Sequence, residues 1–413
     1  MPGVGTRRDI TINRHFPVLL DISRLISRVH LPQMTGIDRV EMAYLDWGMS
    51  SDAPFHAVVR LVDSVAVLDR QGVHQILDRL MGRVEWGTKD LRAFAGLKLP
   101  DLRRRAEADV RRIAVAKIKE DQVGDIALGD AIYLNVGHFI QSRKFLLSFS
   151  GLKVHLVHDL IPLDYPQFQK SGTVPKFEAD MRRVAAVSDL ILSNSKATAD
   201  RVAEVFGSWG SVAPVSVAHL GVSFPHFERK ATISKAPYFI AIGTIEPRKN
   251  YDFLLDLWEE LAGDPDRWPP HLHIVGRDGW ADKALFRRLK VAETKGWLSI
   301  HSDIDDAQLW SLLSGSGGLL FPSHAEGFGL PGLEAKALGI PVICPELDVH
   351  KELLGDYPVY ASTTDRYQWI TAIQRLVDRS KTRSDIQSDG RLNDVPIWSD
   401  HFRTITAEIE KLR

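Results

Sequence analysis

Short apolar runs recur along the chain, with room for a helix between most neighbours. They cover residues 17–22, 56–62, 131–135, 154–158, 190–193 and 215–218, then 238–243, 271–276, 318–321 and 341–344. Several of the intervening stretches, such as 38–47, 197–206, 251–261 and 307–313, carry apolar residues at helical spacing. Brief buried strands alternating with amphipathic helices imply an α/β chain built on parallel sheets. A polar, turn-rich stretch at 230–236 interrupts the series. It predicts a first domain over 1–230 with an insertion at 68–125, a second domain over 231–395, and a closing amphipathic helix within 396–413.

The densest information lies between Gly317 and Cys344, which reads GGLLFPSHAEGFGLPGLEAKALGIPVIC. Pro322 stops one apolar run, Pro331 suits the first position of a helix, and Gly339 suits the position just past its end. The result is a βαβ unit. Free N–H groups at the start of such a helix face the carboxyl edge of the sheet, where a phosphate can accept from them. Gly327, Gly329 and Gly332 let backbone approach it closely. Glu326 and Glu334 would repel a bare diphosphate, so they suit the hydroxyls of a sugar and a ribose. GFGLPG, followed by Glu346, also satisfies a dinucleotide fingerprint. In that fold the first glycine follows the strand directly, whereas here residues 322–326 intervene.

Other polar groups fall at strand ends, where ligands of such sheets bind. The run 238–243 closes on Gly243 and leads into TIEPRKN. Arg248 and Lys249 there form a cation pair suited to a diphosphate, Arg as a planar fork and Lys as a mobile point charge. Adjacent cations are otherwise ordinary solvated surface. In GRDGW, Gly276 and Gly279 permit close approach to a base or ribose. His158 and Asp159 end an apolar run before a proline-broken loop and are candidate site residues, whereas His155, inside the run, reads as structural. Ser195 reads as a helix cap. Arg39 could meet a phosphate or simply face solvent. Asp303 and Asp305 spell D-x-D, a metal-binding pattern elsewhere, but a helix cap at Asp305 or Asp306 accounts for them. With cations supplying the charge, no metal is expected.

Composition narrows the function classes. The chain of 413 residues holds 52 basic and 53 acidic side chains, a net charge of −1, so no overall basic field argues for nucleic acid. Cys344 is the only cysteine, which excludes an intrachain disulfide. No apolar run approaches a membrane span, and residues 1–24 contain no signal-peptide core. A cytoplasmic protein is expected, soluble or peripheral at the inner face of the membrane. The segment 101–119 is basic, with Leu102, Ala106, Val110 and Ile113 on one helical face. Such a helix can rest on an anionic membrane, although Asp101, Glu107 and Asp109 dilute its charge and favour an ordinary surface helix.

Glu326, GFGLPGL, Glu334 and AKALGIPVI together resemble the donor-site signature of glycosyltransferase family 4, retaining enzymes of the GT-B fold. The resemblance implies two Rossmann-like domains facing across a cleft, a terminal helix crossing back to the first domain, and transfer of a hexose from a nucleoside diphosphate sugar with retention of configuration. It assigns the transferred sugar to Glu326, the diphosphate to backbone at Phe328, Gly329 and Leu330, and the ribose to Glu334. The leaving diphosphate falls to Arg248 and Lys249, and the transferred sugar is faced also by His158 or Asp159. The EPRKN form resembles that of bacterial O-antigen mannosyltransferases, which points to GDP-mannose as donor and a glycan or lipid-linked glycan as acceptor in surface polysaccharide synthesis. Two departures stand out. Ser323, His324 and Ala325 precede Glu326 where the family often has an aromatic residue, and Gly36 alone represents a glycine-rich first loop. A sugar-nucleotide epimerase of related fold and a non-catalytic nucleotide-sugar-binding subunit are the alternative readings.

Overall fold

The computed structural model describes residues 15–31, 34–62, 64–94, 98–125, 128, 130–223, 237–263, 269–382 and 395–413. The apolar runs of the first half become β1 (Val18–Asp21), β2 (Phe55–Arg60), β5 (Ile132–Asn135), β6 (Lys153–Val157), β7 (Leu190–Ser193) and β8 (Val215–Val217), and two strands that the runs did not mark, β3 (Val65–Leu68) and β4 (Ala116–Ile118), join them. The runs of the second half become β9 (Phe239–Ile242), β10 (Leu272–Val275), β12 (Gly318–Leu320) and β13 (Val342–Cys344), with β11 (Leu298–His301) and β14 (Val359–Tyr360) added beyond them. They assort into two sheets, ordered β4-β3-β2-β1-β5-β6-β7-β8 and β11-β10-β9-β12-β13-β14. These are two Rossmann-like units, α/β as the apolar pattern implies.

The second sheet is parallel throughout, and so is the first from β2 to β8. The expectation of a purely parallel first sheet fails at its edge, where β3 and β4 run antiparallel. The reason is connection length. Leu61 N–H donates to the Ser64 carbonyl at 2.8 Å, closing a turn between β2 and β3 far too short for a crossover. The segment 68–125 therefore extends the sheet edge through helices Arg70–Leu80 and Asp101–Ile113 before adding β4.

The helix expected to extend toward 119 ends at Ile113, and Val115 N–H pairs with the Val67 carbonyl as the chain enters β4. Its arginines are engaged within the chain. Arg111 binds Asp90 at 2.7 and 2.8 Å, Arg103 binds Glu107 at 3.0 Å, and Arg105 donates to the Gly87 carbonyl at 2.8 Å. Asp109 on the same helix accepts from Arg79 at 2.8 Å. Acids and carbonyls of the neighbouring 79–90 segment thus hold much of the charge of 101–113, in keeping with an ordinary surface helix. Among the described residues no helix is long and apolar enough to cross a membrane.

The expected boundary near 230 lies outside the described residues. Helix Trp398–Glu410 packs on the first domain: Phe402 stacks on Trp47 with ring centroids 5.0 Å apart, and Tyr44 Oη lies 2.8 Å from His401 Nε2. The approach is so close that a Cβ at Gly221 would stand 2.3 Å from the Trp398 nitrogen. In each sheet the chain starts at an internal strand, β1 or β9, adds strands on one side and then crosses back to add them on the other. Crevices beyond such strand ends are where α/β sheets bind ligands, and here the two crevices face one another.

Candidate active site

A cavity of about 840 Å³ opens between the domains. Its first wall includes Arg24 after β1, His138 after β5, His158 and Asp159 after β6, and Asn194 after β7. Its second wall includes Gly243, Arg248 and Lys249 after β9, Gly276 and Arg277 after β10, and Glu326 to Leu330 after β12. Apart from Gly279 and Gly332, the residues singled out from the sequence for catalysis or donor binding line this one space.

Glu326 is the hub of the second wall. Lys249 Nζ donates to Oε1 at 2.6 Å, and Arg248 Nη1 stands 2.9 Å from Oε2. Burial alone would raise this carboxyl, but Arg248 and Lys249 overcome it and hold it at about 2. Glu326 is thus ionised at neutral pH and cannot serve there as a proton donor. Arg248 is fixed further by Glu246, whose Oε1 lies 2.7 Å from Nη2, and it donates to the Ala325 carbonyl at 2.6 Å. Burial pushes the Lys249 ammonium below its ordinary value while Glu326 pulls it back. Both cations are therefore oriented before any ligand arrives.

Helix Leu330–Leu338 begins beside this trio. Gly329 caps it in the left-handed region at φ 84°, and Gly339, at φ 74°, donates to the carbonyls of Ala335 and Lys336 at its end. Pro331 occupies the second helical position, one later than expected, because Leu330 takes the first. The N–H groups of Phe328, Gly329 and Leu330 meet no acceptor among the described residues. They are available to a phosphate, with the positive end of the helix behind them.

Glu334 does not wait free for a ribose. Arg39 of the first domain reaches across and donates to Oε1 at 2.5 Å, with its Nη2 at 3.2 Å from Asp306. The solvated-surface reading of Arg39 is corrected by this contact. Burial raises the Glu334 carboxyl and Arg39 opposes the shift. Gly276 and Gly279 are also read differently. Cβ atoms there would meet the Gly243 carbonyl at 1.9 Å and the Ile245 carbonyl at 2.5 Å, so these glycines permit packing between loops. Asp305 accepts from Gln308 N–H at 2.7 Å and caps helix Asp306–Ser314, which accounts for the D-x-D pattern.

On the first wall His158 Nε2 lies 2.7 Å from the Val136 carbonyl. A carbonyl only accepts, so that nitrogen carries the proton. Burial and the neighbouring His138 push the ring down to about 3, leaving it neutral at physiological pH. His138 accepts from the His158 backbone N–H at 3.0 Å and holds a left-handed φ of 56°, rare for a residue with a side chain. Asp159 accepts from Ile161 N–H at 3.0 Å; burial raises its carboxyl and Arg248 opposes the shift. A Cβ on Gly327 would lie 2.4 Å from the His158 carbonyl, so glycine is what allows the walls to meet. Ser195 caps its helix by accepting from Thr198 N–H at 3.2 Å and also donates to the Gly327 carbonyl at 3.1 Å.

Sequence reasoning missed His138, Glu246, Glu352, Arg24 and Arg277. Glu352 reaches from the second domain to cap the first-domain helix Lys196–Ser208, accepting from Lys196 and Ala197 N–H at 2.6 and 3.1 Å, and it also meets His219 at 2.7 Å. Position at a strand end could have flagged His138 and Arg277; nothing local points to Glu352.

Residues 223–393 match the family Glycosyl transferases group 1. The Serotype-specific mannosyltransferase WbdA of Escherichia coli is 32% identical over 228 residues, 50% of this chain and 27% of that protein. O-antigen chain mannosyltransferase B of Escherichia coli is 27% identical over 219 residues, 50% of this chain and 56% of its own length. Among solved structures, trehalose-6-phosphate synthase OtsA superposes with a TM-score of 0.56 at 12% identity, covering 96% of this chain and 98% of that one. TarM gives 0.52 at 15% identity, covering 68% of this chain and 55% of its own. Residues 223–393 are thus a Glycosyl transferases group 1 domain, and half of the chain is similar to parts of Escherichia coli mannosyltransferases. The two-domain fold is that of GT-B glycosyltransferases.

Proposed function

We propose that the protein is a retaining glycosyltransferase that moves a hexose from a nucleoside diphosphate sugar to an acceptor hydroxyl. The observation that carries this reading is the convergence of Arg248 and Lys249 on Glu326 beside the open N–H groups of helix Leu330–Leu338. As the glycosidic bond breaks, negative charge develops on the departing diphosphate. Oriented cations and backbone N–H groups gain most there, because they need no reorganisation at the moment of reaction. Ionised Glu326 accepts from hydroxyls of the transferred sugar and complements the positive charge growing on its ring. His158, neutral and oriented by Val136, faces that sugar from the opposite wall, next to Asp159. Glu334 takes the ribose hydroxyls once Arg39 releases it.

The relatives' names, both mannosyltransferases, favour mannose, with GDP-mannose as donor, a glycan or lipid-linked glycan as acceptor, and surface polysaccharide as product. Cations in place of a metal make metal-independent turnover the expectation. The test is incubation of the protein with a panel of nucleoside diphosphate sugars and a mannose-terminated acceptor, after exhaustive chelation. Release of nucleoside diphosphate is followed by chromatography, and the product's anomeric configuration by NMR. Formation of an α-linked product from an α-linked donor supports the reading. An epimerised nucleotide sugar with no transfer product would support the epimerase alternative, and binding without any conversion a non-catalytic subunit.

A further inference from the structure

One group of charges in the cleft belongs to no part of the donor site. Helix Ser23–Arg28 follows β1 and carries Arg24 and Arg28, whose Nε atoms share a single oxygen of Asp38 at 3.1 and 3.0 Å. Arg277 follows β10 on the opposite wall, and it lines the same cavity as Arg24. Its guanidinium makes no hydrogen bond or ion pair among the described residues. Arg28 Nη2 is shut away from solvent and likewise finds no acceptor.

The acids nearby do not balance these cations. Asp38 is held ionised below its ordinary value by Arg24 and by Thr35, against burial. Glu41 approaches Arg24 at 3.7 Å, but complete burial pushes its carboxyl well up, toward the neutral form. Glu246 is already committed to Arg248. Three guanidinium groups thus share Asp38 as the one carboxylate that meets any of them at hydrogen-bond distance. The Arg277 charge is disfavoured by burial and by Arg28 and Arg24, against Asp38 and Glu246, so the two walls feel each other across the gap. Uncompensated buried donors of this kind are costly unless an acceptor fills them.

We propose that Arg24 and Arg277, with Arg28 adding positive charge beside them, form an anion subsite on the acceptor side of the cleft, which selects an acceptor bearing a phosphoryl group. A phosphate monoester supplies about 1.5 to 2 negative charges and three acceptor oxygens, matching the excess charge and the open donors. The planar forks of arginine suit such a group better than lysine would. Naming the ligand as acceptor rests on the transferase reading above, because the donor diphosphate is already assigned to Arg248, Lys249 and the helix at Leu330. Arg39 is not part of the subsite, being engaged by Glu334 and Asp306. The shared chemistry has two sources, a soluble sugar phosphate or the diphosphate of a lipid-linked glycan.

The test is calorimetry on the full chain with mannose 6-phosphate, mannose and farnesyl diphosphate, each titrated with and without saturating GDP. A phosphoryl probe should still bind with GDP present, mannose should not, and Arg277→Gln should weaken the probe at least about tenfold while leaving GDP affinity unchanged. Arg277 has no protein partner to lose, so this variant should melt like the wild type. Arg24→Gln should act in the same direction. Preference for mannose 6-phosphate identifies a soluble acceptor, and preference for farnesyl diphosphate a lipid-linked one. Failure of both probes to bind, their displacement by GDP, or undiminished affinity in Arg277→Gln would each overturn the subsite. Absence of GDP binding, by contrast, would count against the donor reading alone.

Discussion

Arg39 Nη1 lies 2.5 Å from Glu334 Oε1, joining helix Gly36–Ser50 of the first domain to the carboxylate assigned to the donor ribose. With Glu334 assigned to the ribose, this pair must open for the carboxylate to take the ribose hydroxyls. Removing Arg39 therefore destabilises the free state and leaves the bound state nearly untouched. Arg39→Gln should lower the melting temperature without ligand and tighten nucleoside diphosphate binding by about tenfold, or about 1.4 kcal/mol. Calorimetric titration checks both signs. Weaker binding in the variant would show that Arg39 remains a ligand contact after the donor enters.

The two acids should separate in kinetics. Glu334→Ala is expected to weaken nucleoside diphosphate binding, whereas Glu326→Gln is expected to slow transfer with little loss of diphosphate affinity. In the second variant Arg248 and Lys249 lose their carboxylate partner and become more available to the diphosphate, while the contact that strengthens on the reacting sugar is gone. Steady-state rates and diphosphate titrations on both variants measure this. Equal losses of affinity would refute the assignment.

His158 should remain neutral from pH 8 down to pH 5, with its proton on Nε2. Its ring is pushed to about 3, below its ordinary value of 6.5. The sign follows: on acidification from about 6.5 toward 3 the unfolded chain takes up a proton here and the folded chain does not, so this site loses stability over that window. Long-range nitrogen–proton NMR reads the tautomer directly. A titration of this ring near pH 6.5 would contradict the burial argument.

The elements that the sequence made legible are those set by local chemistry. Apolar runs became strands within a residue or two, Gly339 ended its helix, and Ser195 and Asp305 capped theirs. The loops carrying Arg248, Lys249, Glu326 and His158 were placed because strand ends in a parallel sheet point to one edge. What stayed hidden depends on residues brought together only by folding. Arg39 stayed open between a phosphate contact and solvated surface because its partner lies 295 positions away. Glu352 caps a helix of the other domain, and Gly276 is small because the Gly243 carbonyl fills its space. The antiparallel edge at β3 followed from a turn whose polar residues resemble any loop.

The central claim is that Arg248 and Lys249 stabilise the leaving diphosphate in the transition state. Single-turnover transfer by Arg248→Ala and Lys249→Ala, compared with donor binding in the same variants, tests it most directly. The account predicts a fall of about 10²-fold to 10³-fold in the rate of the chemical step, well beyond any loss of affinity for the nucleoside, with the fold retained by circular dichroism. Wild-type transfer rates in both folded variants would contradict it.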